Sequence, residues 1–181
     1  SMEELNPFEF SRKYLETGEN NLEWITHIVP SQFDKANYNK PDLHKIWIAK
    51  TLIFPPNIQT NSVSIRLGTI SDRDRTYFNG TLIGATGEFG QNYPSAYDKV
   101  RIYEIPDNLL RKGAENILLI EAEEYFQGTM GIDQDKTEIG PTRIVEKSFI
   151  NFEYVKLVLL MIYLVVGVYY LFLFARRSKE K

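Results

Sequence analysis

Residues 66–87 read RLGTISDRDRTYFNGTLIGATG, and this stretch contains a turn motif from which the fold class can be inferred. Within it, Asn79-Gly80 lies between two apolar runs. This dipeptide is the strongest short-range signal for a β-hairpin, because a type I′ turn needs a positive φ at both of its central residues. The stretch therefore predicts two antiparallel strands, with Asn79 and Gly80 as the structural turn between them.

Similar runs of alternating or β-rich sequence recur on both sides of the hairpin, with turn residues between them. They are residues 24–29, 45–53, 63–67, 76–83, 100–105 and 116–123, with Phe149-Ile150 as a last short strand. No long amphipathic helix is evident among them. Short strands with frequent turn signals predict an all-β fold, an antiparallel β-sandwich.

The composition excludes several classes of function. The chain has 181 residues with no Cys and two His, which excludes disulfide scaffolds, thiol catalysis and Cys-ligated zinc. Its net charge is -3, and the part before Lys156 is acidic whereas residues 176–181 are basic. An acidic body argues against nucleic acid as a partner. We expect neither a cofactor nor a nucleic-acid partner.

The C-terminal part contains a long apolar run. Residues 157–175 read LVLLMIYLVVGVYYLFLFA, which is 19 residues without a charge. A helix of this length is about 28 Å long, close to the hydrocarbon thickness of a bilayer. We therefore expect one transmembrane helix; the alternative is a buried core helix. Because basic residues stay on the cytoplasmic side, the cluster at 176–181 predicts that residues 1–154 lie outside the cytoplasm.

The N-terminus does not contain the signal that an exported domain needs. Ser1-Met2 is typical of a cloning remnant, and no basic region followed by an apolar run comes after it. We expect that the chain has been shortened at its N-terminus. We expect the same of its C-terminus, because the residues after the apolar run leave no room for an output domain.

Residues 66–87 resemble the core "LG-x-I-x-D-x-D-x-x-Y-x-NG-x-x-IG-x-x-G" of the galactose-binding-like jelly roll. This module occurs as the sugar-binding domain of family 2 glycoside hydrolases and in sialate O-acetylesterases. The resemblance covers residues 20–150 and continues through Tyr97-Asp98, Arg101, residues 103–106, 109–110, 113 and 116, and a closing strand at 131–132 and 139–141. It implies a jelly-roll β-sandwich with a carbohydrate-binding character.

A jelly roll followed by a helix that ends in LFLFARRSKEK also resembles bacterial seven-transmembrane receptors with extracytoplasmic sensor domains. That resemblance implies the bacterial inner membrane, with the N-terminal domain in the periplasm and the C-terminus in the cytoplasm. It implies a histidine kinase, nucleotide cyclase or PPM-type phosphatase output outside this chain. The domains expected are a lead-in at 1–19 (partly a cloning remnant), the jelly roll at 20–150, a juxtamembrane connection at 151–156, the transmembrane helix at 157–175 and a basic cytoplasmic stub at 176–181.

The densest charge cluster supplies the first candidates for ligand binding. Asp72 and Asp74 could hold Ca²⁺ with backbone oxygens, or pair with Arg101 beside a ligand. The alternative is a loop whose carboxylates cap turns while the Asp and Arg charges neutralise each other. Strand aromatics are usually core residues, so Tyr97 and Asp98 in the loop after Pro94 are better candidates for contacting a sugar. The predicted ligand-binding residues are Asp72, Arg73, Asp74, Arg75, Tyr97, Asp98 and Arg101.

No catalytic site is expected in this chain. Strand alternation places Glu121 and Glu123 on one face of a strand, which we predict to be solvated. In family 2 hydrolases the catalytic acids lie in a separate barrel domain. Neither His27 nor His44 lies near a nucleophile-elbow motif, which argues against a Ser–His–acid esterase.

Three functions remain as hypotheses. The favoured one is an extracytoplasmic sensor domain that binds a small ligand, such as a carbohydrate, or a partner, and biases the membrane helix through residues 145–154. The second is a non-catalytic scaffold that mediates dimerisation or protein contact. The third is a membrane-tethered carbohydrate-binding module without signalling. The partners expected are the lipid bilayer, a carbohydrate or other small ligand, and a second copy of the chain.

Overall fold

A computed structural model describes residues 5–18, 24–31, 33–34, 44–58, 62–88, 95–124 and 129–177. The chain divides into two compact units, Ser1–Thr142 and Arg143–Lys181. The first unit contains all the strands of the described residues. The described part of the second unit lies within one long helix, Thr142–Arg177, whose first residue belongs to the first unit.

The described residues form two α-helices, one 3-10 turn and nine strands. The helices are α1 (Pro7–Thr17) and α2 (Thr142–Arg177), and the 3-10 turn is Asp107–Leu109. The strands are β1 (Phe33–Asp34), β2 (Lys45–Ile53), β3 (Val63–Ser71), β4 (Arg73–Phe78), β5 (Thr81–Thr86), β6 (Val100–Ile105), β7 (Glu115–Glu123), β8 (Thr129–Gln134) and β9 (Glu138–Pro141).

The strands form two sheets in which every strand pairing is antiparallel. The four-stranded sheet has the order β2-β7-β4-β5. The five-stranded sheet has the order β1-β8-β3-β6, with β9 also paired to β3. The predictions of mostly antiparallel β structure and of one long apolar C-terminal helix are confirmed.

Residues of both sheets share one hydrophobic core. In β7, Leu118, Ile120 and Ala122 belong to this core, because alternate side chains of a strand point to the same face. Ile117 and Leu119 between them are also buried, and α1 contacts β7. We infer that α1 covers part of the outer face of the four-stranded sheet, which explains why Ile117 and Leu119 on that face are apolar and buried.

The prediction of residues 1–19 as a lead-in missed α1. The signals for this helix are local: the Asn6 side chain accepts hydrogen bonds from the backbone N–H groups of Phe8 and Glu9 at 3.1 and 3.2 Å. Pro7 stands at the first helical position, and Gly18 follows the helix with φ of 70°. Asn as N-cap, Pro in the first turn and Gly after the last turn are a helix signature that the sequence alone displays.

The predicted strand at residues 24–29 is wrong. Residues 24–28 have no regular secondary structure, and Ile28 is 82% exposed. Burial does not alternate along this segment, so it has no core face of the kind that holds a strand in a sheet.

The predicted last strand, Phe149-Ile150, is also wrong, because these residues lie inside α2. Apolar residues before the uncharged run at 157–175 recur at helical spacing, as at Val145, Phe149 and Phe152. The helix therefore begins at Thr142 and includes the expected connection 151–156. The strand that precedes it is β9.

The hairpin is confirmed, and the Asn79 side chain does more than favour the turn. Asn79 and Gly80 have φ of 48° and 85°, between β4 and β5. The Asn79 Oδ1 atom accepts from the backbone N–H of Ile117 at 2.9 Å, and Nδ2 donates to the Leu109 carbonyl at 2.8 Å and to Asn116 Oδ1 at 2.9 Å. The turn is thereby joined to the start of β7.

Replacing Asn79 by Ala should lower the free energy of unfolding by about 3 kcal/mol, because three half-buried polar groups lose their partner. Urea unfolding of the full chain in mild detergent measures this, with fluorescence of Trp24 and Trp47 as the probe. Asn108, exposed in the 3-10 turn, is the matched control, and Asn108→Ala should cost under about 0.5 kcal/mol. Equal costs at the two positions would contradict the role assigned to Asn79.

Candidate functional site

Arg101 on β6 is the centre of a buried polar cluster. Its side chain and that of Asp74 on β4 are both 0% exposed, and Arg101 Nε donates to Asp74 Oδ1 at 2.9 Å. The Nη2 atom donates to the Asp72 carbonyl at 2.7 Å, and Nη1 donates to the Ala96 carbonyl at 2.9 Å and to the Lys99 carbonyl. The guanidinium therefore joins β6 to the β3–β4 turn and to residues 95–99.

The second oxygen of Asp74 accepts from two hydroxyls. Tyr103 Oη and Thr76 Oγ1 each donate to Asp74 Oδ2 at 2.9 Å. Because the single Tyr103 hydroxyl proton goes to Asp74, Thr86 Oγ1 donates to Tyr103 Oη in their 2.6 Å contact. Burial raises the pKa of Asp74 above its usual 3.8, while the hydrogen bond and charge of Arg101 and the two hydroxyls oppose the rise. Burial also raises the pKa of Tyr103.

Asp72 holds the loop that precedes β6. Its Oδ1 atom accepts from Ser95 Oγ and from the backbone N–H of Ala96, the latter at 3.2 Å. Asp72 is itself buried. The carboxylates of Asp72 and Asp74 thus use protein donors from different segments of the chain.

These contacts do not form the predicted Ca²⁺ site. Calcium takes 6–8 oxygen ligands, whereas both oxygens of Asp74 are already engaged by Arg101 and hydroxyl groups. Within the described ranges, there is no group of three or more His, Asp or Glu side chains that could hold a metal ion.

The prediction that residues 72–75 form one charged loop is wrong. Arg73–Phe78 is a strand, so Asp74 faces the core while Arg73 and Arg75 face outward. Arg73 donates to the Glu88 carbonyl at 2.7 Å and pairs with Glu123 at 3.4 Å. Arg75 pairs with Glu121 at 3.3 Å and stays 37% exposed.

Glu121 is buried rather than solvated, which corrects the prediction for this strand. Lys45 of β2 approaches it at 2.7 Å and Arg75 of β4 approaches it from the other side. On the same outer face, the rings of Trp47 and Tyr77 lie 6.1 Å apart between centroids. Two cations from neighbouring strands therefore neutralise Glu121, which supports a structural role for this carboxylate.

Tyr97 and Asp98 are the exposed members of the predicted set. They lie in a turn, and Tyr97 is 59% exposed. Asp72 and Arg101 stabilise this turn, because Asp72 accepts a hydrogen bond from the Ala96 N–H and Arg101 donates one to the Ala96 carbonyl. Of the seven predicted ligand-binding residues, Tyr97, Asp98 and Arg75 therefore offer the most surface to a ligand.

Sequence reasoning missed the partners that hold this arrangement, which are Ser95, Thr86 and Tyr103. The alternation of β4 was a usable signal, because Asp74 and Thr76 share their strand face with the apolar Phe78. The loop partners leave no such signal, since their contacts with Asp72 and Arg101 depend on how distant segments pack.

Comparisons with known proteins give a likeness in structure alone. No family model and no curated protein matches the chain. The β-glucuronidase of Ruminococcus gnavus is similar over 66% of this chain, with 19% identity and a TM-score of 0.47. The β-glucuronidase of Bacteroides uniformis is similar over 71% of this chain, with 17% identity and a TM-score of 0.48. The chain spans 19% and 14% of these two structures, respectively.

Proposed function

We propose that the chain is the extracytoplasmic sensor domain of a bacterial inner-membrane signalling protein. In this proposal residues 20–150 are a galactose-binding-like jelly roll that binds a carbohydrate or another small ligand. Helix α2 crosses the membrane toward a cytoplasmic output domain that lies outside this chain. The chain itself is not catalytic.

The observation that carries the proposal is the exposure of α2. This helix has 36 residues, and its apolar window has a mean hydropathy of 2.6 with none of its residues buried. A helical segment that is apolar on all sides and exposed along its length requires a non-aqueous environment. Arg176 and Arg177 at its end favour a cytoplasmic C-terminus.

The start of α2 gives a physical route for the signal. No irregular residue separates β9 from α2, since β9 ends at Pro141 and the helix begins at Thr142. The Thr142 N–H donates to the Ser62 carbonyl at 3.2 Å, and its Oγ1 lies 2.9 Å from Ser64 Oγ of β3. A ligand that prefers one arrangement of these strands over another would bias the helix, whereas equal affinity for both would shift nothing.

Membrane extraction and protease accessibility test the anchoring. The chain expressed with an export signal should stay in the membrane fraction after alkaline carbonate washing. Protease added to spheroplasts should digest the β-domain and spare the C-terminus. Release by carbonate would contradict the membrane anchor, and protection of the β-domain would contradict the orientation.

Tyr97→Ala should weaken carbohydrate binding at least about tenfold, because an aromatic platform at the exposed turn is lost. A glycan array on the full chain in detergent identifies the sugar, and titration calorimetry measures its affinity. Phe8→Ala is the matched control, because Phe8 lies on α1 and its exposed fraction of 57% is similar to the 59% of Tyr97. Equal affinity of both variants and the unaltered chain would contradict the assignment of the turn.

The same array separates the two alternatives. A chain that binds no glycan but self-associates with increasing concentration would favour the scaffold that mediates dimerisation or protein contact. A chain that binds sugar, while ligand leaves the cytoplasmic output of the whole protein unchanged, would favour the tethered carbohydrate-binding module.

A further inference from the structure

The turn between β4 and β5 contains the one Asn-Gly dipeptide of the sequence, which is chemically labile. The backbone nitrogen of Gly80 can attack the Asn79 side chain at Cγ, because Gly has no Cβ atom that hinders the approach. In this step the new N–C bond replaces the bond from Cγ to Nδ2. The side-chain nitrogen takes the Gly80 proton and leaves as ammonia, and the product is a cyclic succinimide. Water then opens the ring at either carbonyl group and leaves aspartate or isoaspartate at position 79.

The folded domain uses every hydrogen-bonding atom of the side chain that would react. Asn79 Oδ1 accepts from the Ile117 N–H at 2.9 Å, and Nδ2 donates to the Leu109 carbonyl at 2.8 Å and to Asn116 Oδ1 at 2.9 Å. Both hydrogens of the leaving nitrogen are therefore engaged. Loss of ammonia breaks these two bonds and leaves half-buried acceptors without their donor, which is costly.

The backbone of the turn is held from two sides. The Asn79 N–H donates to the Ile117 carbonyl of β7 at 2.9 Å. On the other side, a Cβ atom at Gly80 would lie 2.8 Å from Phe8 Cα and 3.3 Å from the Pro7 carbonyl oxygen, so the first turn of α1 packs against the Gly80 backbone. Bringing the Gly80 nitrogen and Asn79 Cγ together therefore requires the turn to leave these neighbours.

We propose that Asn79-Gly80 is a site of spontaneous deamidation that is closed while the turn is docked on β7 and opens when the turn detaches. The reaction needs water as its only co-reactant. Local openings of folded proteins have free energies between zero and that of global unfolding. When opening and closing are fast, the rate of a reaction in the open state follows the population of that state. Deamidation at Asn79 therefore reports how often the turn is open, and this inference does not depend on the proposed function.

The product should not dock again, because Asn116 cannot turn its amide around. Its Nδ2 atom donates to the Arg111 and Ala114 carbonyls at 2.9 and 3.0 Å, and its Oδ1 accepts from the Arg111 N–H at 2.9 Å. Asn116 thus presents only its oxygen to position 79. A carboxylate at position 79 would face this oxygen and the Leu109 carbonyl with no donor between them. Isoaspartate would also add a methylene group to the backbone of the turn.

Peptide mapping of the full chain by mass spectrometry measures the reaction. The chain is incubated in mild detergent and mildly alkaline buffer with and without urea, and isoaspartate is identified by enzymatic methylation of its carboxylate. We expect conversion of Asn79 to be at least about tenfold slower in the folded chain than in the urea-unfolded chain. Equal rates would overturn the protection, and no conversion in urea would overturn the labile site.

Two variants test the hydrogen bonds that close the site. Asn116→Ala removes one acceptor of Asn79 Nδ2 and should raise the rate at Asn79 without urea at least about threefold. Asn108→Ala, in the exposed 3-10 turn, is the matched control and should leave the rate within about twofold of the unaltered chain. Equal rates in the two variants would overturn the role of these bonds. If Asn116→Ala does not fold, a urea series on the unaltered chain replaces it: the rate should rise with the unfolded fraction, and a rate independent of urea would overturn the proposal.

Asn79→Asp tests whether the product can dock. Its midpoint of urea unfolding should be lower than that of Asn79→Ala, because Ala places no charge against the two acceptors. Asn108→Asp is the control and should leave the midpoint almost unchanged. A midpoint for Asn79→Asp equal to that of the unaltered chain would show that the modified turn docks normally, and would overturn this part of the inference.

Discussion

Arg101→Met should lower the free energy of unfolding by about 3–5 kcal/mol, because it leaves the carboxylate of Asp74 buried without its cation. The variant also loses the hydrogen bonds from the guanidinium to the carbonyl groups of Asp72, Ala96 and Lys99. The sequence predicted Arg101 as a ligand-binding residue. Complete burial of the pair makes loss of the fold the expected result instead.

The same variant should become less stable as the pH rises. Burial raises the pKa of Asp74 above 3.8, and Arg101 opposes the rise, so its removal moves the pKa further upward. Between the unfolded and folded pKa values the folded state binds more protons than the unfolded state, so stability falls as pH increases through that window. We expect Arg101→Met to be more destabilised at about pH 8 than at about pH 5.

Urea unfolding at several pH values, followed by tryptophan fluorescence, measures both effects. Arg75→Met is the matched control, since Arg75 is 37% exposed in its pair with Glu121, and should cost under about 1 kcal/mol. Adding Asp74→Asn to Arg101→Met should abolish the added pH dependence by removing the titrating group. A pH slope that persists in this double variant would assign the dependence to another group.

Gly68→Ala should lower the free energy of unfolding by about 3–4 kcal/mol, because a positive φ and a backbone clash add together. Gly68 has φ of 76°, and a Cβ atom there would lie 2.3 Å from the Gln134 carbonyl oxygen. That oxygen belongs to β8, the neighbour of β3, so relief of the clash requires the two strands to separate. The same separation would move the neighbouring Asp135 away from Arg66, whose Nη2 donates a hydrogen bond to Asp135 Oδ2 at 2.6 Å.

Gly18→Ala isolates the steric part of this prediction. Gly18 has φ of 70°, close to that of Gly68, but a Cβ atom there would meet nothing within 4 Å. It should therefore cost only about 1 kcal/mol, the conformational penalty of a left-handed residue. The difference between the two losses in free energy of unfolding, measured with urea, is the cost of the clash. Equal losses would show that β8 can shift away from the added Cβ without loss of stability.

Local patterns in the sequence determined the classes of secondary structure in this protein. Asn79-Gly80 predicted the hairpin, alternation predicted the strands from Lys45 onward, and the uncharged run from Leu157 predicted the apolar helix. Each is a property of adjacent residues, as are the caps of α1 at Asn6 and Gly18, which the prediction overlooked. Such signals act through backbone conformation and through side-chain periodicity, so they require no knowledge of the rest of the chain.

Which charged side chains are accessible to a ligand depends on the tertiary structure. Asp74 and Arg101 are 27 residues apart in the chain, and Glu121 is neutralised by Lys45 and Arg75 of two other strands. Whether a charged side chain is solvated, paired or buried depends on atoms that distant segments bring around it. The sequence therefore identified the charged residues, and the packing of distant segments buried Asp72, Asp74 and Arg101. The same packing left Arg73 and Arg75 partly exposed and Asp98 exposed.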